Sequence, residues 1–254
     1  MIKRYFLLSL LGLLFVPLCL MANSLPAGFV YLHDIDPSIQ QDIRYATDHN
    51  FIGRPIQGYQ AGECILTRPA AQALHEVQQK LLKMHLSLKV YDCYRPQQAV
   101  DDFIAWSKEP AQTQMRAEFY PRVAKTQLFP QGYIAAQSGH TRGSTMDLTI
   151  VLVPTPIEAN YQHGQPLAAC FDDFGKRFAD NSIDMGTGFD CMDVTAHSDY
   201  HGNLSTTALN NRKLLQRLML QAGFNPYKPE WWHYTLKNEP FPSTYFNFPI
   251  TKEG

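Results

Sequence analysis

Ser138-Gly139-His140-Thr141-Arg142-Gly143-Ser144-Thr145-Met146-Asp147 is followed by an apolar, β-branched run, Leu148-Thr149-Ile150-Val151-Leu152-Val153. Much later in the chain, Glu230-Trp231-Trp232-His233 opens a second strand-like stretch that reaches Leu236. His140 and Asp147 stand seven residues apart with Gly143 between them. A loop that turns at the glycine and enters a strand at Met146 brings both side chains to one point. On the second strand, alternation puts His233 on the face opposite Trp232 and Tyr234, and Glu230 sits just ahead. Two histidines, an aspartate and a nearby glutamate match a catalytic zinc centre: three ligands, one open position and a base. The two stretches therefore predict neighbouring strands with the centre at their edge.

Working outward, Leu86 to Tyr91 alternates and reads as another strand, ended by Pro96 soon after. Before it, Thr67 and Pro69 open a helix carrying Leu74, Val77, Leu81 and Leu82 at helical spacing to about Met84. A second helix is expected over Gln97 to Trp106 and a third over Leu204 to Ala222, where Gly223 stops it. Residues 25–66 read as a wrap of loops and short strands, and 154–204 as loops around the site. Strands and helices do not alternate as βαβ units. The expected fold is α+β, one domain over residues 25–254, with a central antiparallel sheet carrying the zinc site and flanking helices.

The ends and the composition bound the rest. Lys3 and Arg4 precede an apolar run from Tyr5 to Met21, and Ala22, Asn23 and Ser24 follow. Residues 1–24 have the layout of a secretory signal peptide, so an exported, periplasmic protein with no membrane anchor after cleavage is expected. Four cysteines remain beyond it: Cys64, Cys93, Cys170 and Cys191. In an exported chain they suggest two disulfides. Three pairings are open, and Cys64–Cys93 with Cys170–Cys191 is favoured because each closes a modest loop. No C-x-x-C spacing supports a cysteine metal site. A net charge of -1 without basic runs argues against nucleic acid as a partner. His197 and His201 form an i, i+4 pair but lack the glutamate of H-E-x-x-H and lie in a polar turn.

Nearly the whole chain, roughly residues 30–250, resembles the VanX-type D-alanyl-D-alanine dipeptidases. These are zinc peptidases related to D,D-carboxypeptidases and to the hedgehog signalling domain. The resemblance rests on Arg44-Tyr45-Ala46-Thr47, Gly58-Tyr59, Tyr94-Arg95-Pro96, Ser138 to Thr149, Met185 to Asp190, and Glu230 to Tyr234. The ending Glu239-Pro240-Phe241-Pro242 with Tyr245 to Pro249 adds to it. It implies one zinc ion on His140, Asp147 and His233, with Glu230 as general base and then acid. It also implies that Arg95 faces the scissile carbonyl and Asp190 takes the substrate ammonium. Ser138 and Tyr59 are implied as hydroxyl donors to the terminal carboxylate, with Tyr45 lining the pocket. The expected reaction is hydrolysis of D-Ala-D-Ala in cell-wall peptide turnover or scavenging, by water that the metal activates.

Two departures stand out: Thr145 where many relatives have alanine, and the leader, since the antibiotic-resistance members are cytoplasmic. The alternatives are a D,D-carboxypeptidase or endopeptidase acting on peptidoglycan stems, and a non-catalytic, zinc-stabilised binding module.

Overall fold

The strand expected after Met146 begins one residue earlier, at Thr145, and forms the middle of a five-stranded sheet in the computed structural model, which describes residues 25–253. The leader and its export reading lie outside the described residues. In chain order, β1 (Phe29–Tyr31), α1 (Leu32–Ile35), β2 (Gln40–Gln41) and β3 (Ile65–Thr67) form the N-terminal wrap. Then come α2 (Arg68–Leu82), β4 (Leu86–Asp92), α3 (Gln97–Ser107), the short α4 (Arg116–Phe119) and β5 (Thr145–Leu152). The chain ends with α5 (Thr206–Gln221), β6 (Phe224–Tyr227) and β7 (Glu230–Leu236).

The large sheet has the order β2-β4-β5-β7-β6, and β1 pairs with β3 in a separate ribbon. The α+β class holds, with one refinement. The four strands from β4 to β6 are antiparallel, but β2 adds to the edge in parallel. A two-residue strand carries no readable periodicity, so its pairing was invisible in the sequence. β6 was also unforeseen, because Pro226 reads as a breaker. It is tolerated because β6 is an edge strand with only β7 beside it.

The helices form for the reasons their spacing implies. Leu74, Val77 and Leu81 are fully buried along α2, and Pro69 sits in its first turn. Thr67 stands at the N-cap position, yet its hydroxyl pairs with Ser144 Oγ at 2.7 Å instead of capping the helix. At α5, Ser205 Oγ does cap, accepting from the Ala208 amide at 3.0 Å. α2 lies on β4, α5 on β6 and β7, and the two helices touch each other. Tyr234 looks toward Arg212 of α5, while its strand neighbour His233 pairs in register with Asp147. The alternation of the pleat thus sends His233 and Asp147 to the face away from that helix.

The C-terminal tail closes the molecule over the loop before β5. Arg142 holds Glu239 by two hydrogen bonds of 2.9 and 2.7 Å. The Phe29 ring packs against Phe241, Phe246, Phe248 and Tyr94, contacts worth about 0.5–1.5 kcal/mol per aromatic pair beyond their buried area. Phe29 also explains Gly143. The glycine has φ 82°, and a Cβ there would meet the Phe29 ring at 2.2 Å. Both disulfides join the favoured partners, Cys64 to Cys93 and Cys170 to Cys191.

Candidate active site

Three donor atoms converge where β5 and β7 lie side by side. His140 Nε2 is 3.4 Å from Asp147 Oδ2 and 3.3 Å from His233 Nδ1, which is 3.1 Å from Asp147 Oδ1. His140 arrives on a 3₁₀ turn, Gly139–Arg142, whose N-cap is Ser138: its Oγ accepts from the His140 amide at 3.3 Å. Asp147 and His233 are cross-strand partners. Ligands bonded tetrahedrally at about 2.0–2.2 Å stand about 3.3–3.6 Å apart, close to the spacing found.

The chemistry of these donors also fits a cation. Asp147 Oδ1 is fully buried and has no partner nearby except the other proposed ligand, His233 Nδ1, at 3.1 Å. Burial opposes a charge on His233, but Asp147 and Glu230 outweigh it and raise the imidazole to about 9. The acidic surroundings of this imidazole thus favour positive charge at that point, which a metal ion would supply. His140 Nδ1 lies 2.7 Å from the Cys93 carbonyl, which fixes Nδ1 as the protonated nitrogen and leaves Nε2 for the metal. Among the described residues one further group has metal-like spacing, the half-buried His33 with the exposed Asp34 and Glu253. His197 is hydrogen-bonded to Tyr133 through Nε2 at 3.2 Å, and neither it nor His201 joins a metal group.

Around the triad lies a cavity of about 280 Å³, near the small end for small-molecule sites. Glu230 lines it with Oε2 3.2 Å from His233 Nδ1. Arg95 enters from the turn after β4, its guanidinium over the rings of Tyr45 and Phe103 at 5.0 and 5.2 Å. Burial works against its charge, yet Asp92, Asp147 and the neighbouring tyrosines hold its pKa well above the ordinary value.

Asp190 lines the opposite part of the cavity on a left-handed backbone (φ 54°) and accepts from the Tyr45 hydroxyl at 2.8 Å. Burial, then the Asp147 charge, pushes its carboxyl well above the usual range. A cationic group bound beside it would relieve that. Ser138 lines the cavity, and because its oxygen accepts the His140 amide, its hydroxyl proton remains to be given. Tyr59 is placed differently from its sequence reading. Its hydroxyl is buried behind Arg95 and donates to Asp92 at 2.6 Å, and Tyr59 is not among the residues lining the cavity. The reading of the sequence missed Asp92 itself, as well as Tyr133, Met192 and Tyr227, which line or close the pocket. A strand ending in Asp directly before Cys-Tyr-Arg-Pro was the available signal for Asp92.

This arrangement agrees with the comparisons. The peptidase M15 family described as "D-ala-D-ala dipeptidase" matches residues 26–179 and 176–251. The chain is 38% identical over 222 residues to a D-alanyl-D-alanine dipeptidase of Streptomyces coelicolor, covering 87% of this chain and 98% of that one. A D-alanyl-D-alanine dipeptidase of Enterococcus faecalis is 34% identical, with 88% and 98% covered. One of Escherichia coli is 30% identical, with 80% and 81% covered. The match runs through both strands of the triad and the Arg95 turn, and the chain belongs to the D-Ala-D-Ala dipeptidase family of metallopeptidases.

Proposed function

We propose that this chain cleaves the free dipeptide D-Ala-D-Ala to two D-alanines with one zinc ion held by His140, Asp147 and His233. The observation that carries the reading is a single small cavity lined by the donor triad, Glu230, Arg95 and Asp190, a buried acid that forms no salt bridge among the described residues. The dipeptidase names of the relatives support it. When bound, zinc supplies Lewis acidity toward the peptide carbonyl and brings the pKa of water to about 7.

The protein's own groups do the rest. Asp190 receives the substrate ammonium, oriented by Tyr45. Ser138 donates a hydrogen bond from its hydroxyl to the terminal carboxylate. Arg95 donates to the carbonyl oxygen as negative charge gathers there, an effect of about 10²–10³ in rate for one well-placed donor. Glu230 removes a proton from the attacking water and returns it to the leaving nitrogen, which departs as an amine. Pairing both charged ends of a very short substrate supplies discrimination, since an analogue lacking one end leaves a buried partner unpaired.

Glu230 opposes a purely structural zinc module, and Asp190 opposes a carboxypeptidase acting on longer, amide-linked stems. The leader-like residues 1–24 and the two disulfides support export, with a role in cell-wall peptide turnover or scavenging outside the cytoplasm. The test is amine release by the zinc-loaded protein from D-Ala-D-Ala, N-acetyl-D-Ala-D-Ala and L-Ala-L-Ala. Cleavage of the free D,D-dipeptide is expected. Preference for the blocked peptide would favour the carboxypeptidase, and silence on all three would reject an enzyme of this class. N-terminal sequencing of the secreted protein tests export, with Met1 retained as the opposing result.

A further inference from the structure

We infer that Asp92 is a positioning residue that holds Arg95 in the orientation the reaction needs, an inference that rests on the dipeptidase reading. Asp92 is the last residue of β4, opposite Asp147 in register, and is completely buried. Both its oxygens are in use. Oδ1 accepts from Tyr59 at 2.6 Å, while Oδ2 accepts from Arg95 Nε at 2.9 Å and lies 2.8 Å from Nη2.

A second buried carboxylate beside a ligand carboxylate is unfavourable unless a cation answers it. Arg95 Nη2 does so, lying 2.8 Å from Asp92 and 3.7 Å from Asp147. The guanidinium is thus pinned along one edge by Asp92 and flanked by the rings of Tyr45 and Phe103. A donor to a developing oxyanion is effective when it is already in place, because it then need not reorganise during the reaction. A lone arginine on a turn would not be so held. Tyr59 completes the device from behind: its proton is committed to Asp92, giving a buried relay from Tyr59 through Asp92 to Arg95.

Asp92 also comes within 3.4 Å of His140 Nδ1, so it could act on the metal ligand instead. The Cys93 carbonyl is nearer, at 2.7 Å, and takes that N–H. Asp92 therefore acts through Arg95 and leaves metal binding largely alone.

The experiment is a double-mutant cycle on the zinc-loaded protein: Asp92→Asn, Arg95→Ala and the pair, with kcat and KM for D-Ala-D-Ala, zinc content and melting temperature for each. Asp92→Asn keeps the shape and removes the charge. It should lower kcat about 10- to 100-fold, move KM less than about threefold, and retain zinc. In the Arg95→Ala background it should add less than about twofold, since groups acting as a unit are not additive. Losses that multiply, loss of zinc, or undiminished kcat in Asp92→Asn would each overturn the inference.

A second readout does not need turnover. The Arg95 Nε–H resonance should be shifted downfield and slow to exchange in the wild type, identified by its loss in Arg95→Lys, and should collapse in Asp92→Asn. An Arg95 resonance unchanged by Asp92→Asn refutes the link. A wild type that cleaves nothing refutes only the dipeptidase reading, and the resonance still decides on Asp92. If Asp92→Asn does not fold, Tyr59→Phe replaces it, with a smaller fall in kcat expected that Arg95→Ala again masks; additive losses would overturn the inference equally.

Discussion

The Tyr45 hydroxyl donates to the Asp190 carboxylate across 2.8 Å, joining the 3₁₀ turn Arg44–Ala46 to the left-handed residue that precedes Cys191. Removing that donor leaves Asp190 less constrained and less well solvated. Tyr45→Phe should therefore raise KM for the free dipeptide about ten- to a hundredfold, with kcat nearly unchanged, since one hydrogen bond to a charged group contributes about 1.5–3 kcal/mol. Steady-state kinetics on free and N-acetylated dipeptides checks this. Equal effects on both substrates would detach Asp190 from amine recognition.

Glu230→Gln keeps the side-chain volume beside His233 and removes the proposed base. The expected outcome is a kcat lower by about 10²–10⁴-fold, the usual contribution of general acid–base catalysis, with zinc still near one per chain. Metal analysis alongside turnover separates the two properties. Near wild-type turnover would show that another group moves the proton.

His233→Ala removes one donor of three and should leave the purified protein substoichiometric in zinc. Asp147→Asn should do the same, because it replaces a buried carboxylate of the proposed ligand set with a neutral group. Full zinc content in either variant would point to a different ligand set.

Glu158 makes a pH-dependent contribution far from the triad. Its carboxylate is 3.3 Å from both Arg44 Nη2 and Lys89 Nζ, near Asp42. Burial, followed by repulsion from Asp42, raises it to about 7 from an ordinary value of 4.5. The folded state thus binds this proton more tightly than the unfolded chain. Its stabilising contribution is complete below pH 4.5 and is lost as pH rises through about 7. The melting temperature of the wild type relative to Glu158→Gln should fall between pH 5 and 8, modestly because the side chain is 30% exposed. Thermal scans across that range would reveal a flat difference if the group titrates normally.

The sequence carried the site further than the sheet. His140, Asp147 and His233 were legible because a glycine turn and two strand starts leave few ways to arrange them, and the donors do converge. α2, β4, α3, β5 and α5 fall within two residues of their expected ends because each has a clear period. β2 and β6 were not legible, one too short and the other broken by Pro226. The contacts of Tyr59 and Asp92 were not legible for another reason. Their roles depend on which hydroxyl faces which carboxylate across distant segments, and spacing along the chain does not encode that.

Both disulfides end beside residues of the proposed site. Cys93 follows Asp92 and its carbonyl orients His140, while Cys191 follows Asp190. On the proposed function, oxidation of these thiols would fix two residues of the site in place as well as bracing the fold. A newly made chain in a reducing compartment would hold every necessary side chain but lack the two anchors that register them. Refolding followed by thiol trapping and activity together should show the two appearing in step; full turnover from the reduced chain would contradict it. If the proposed export holds, hydrolytic competence would be a late property of maturation, acquired where the chain is oxidised.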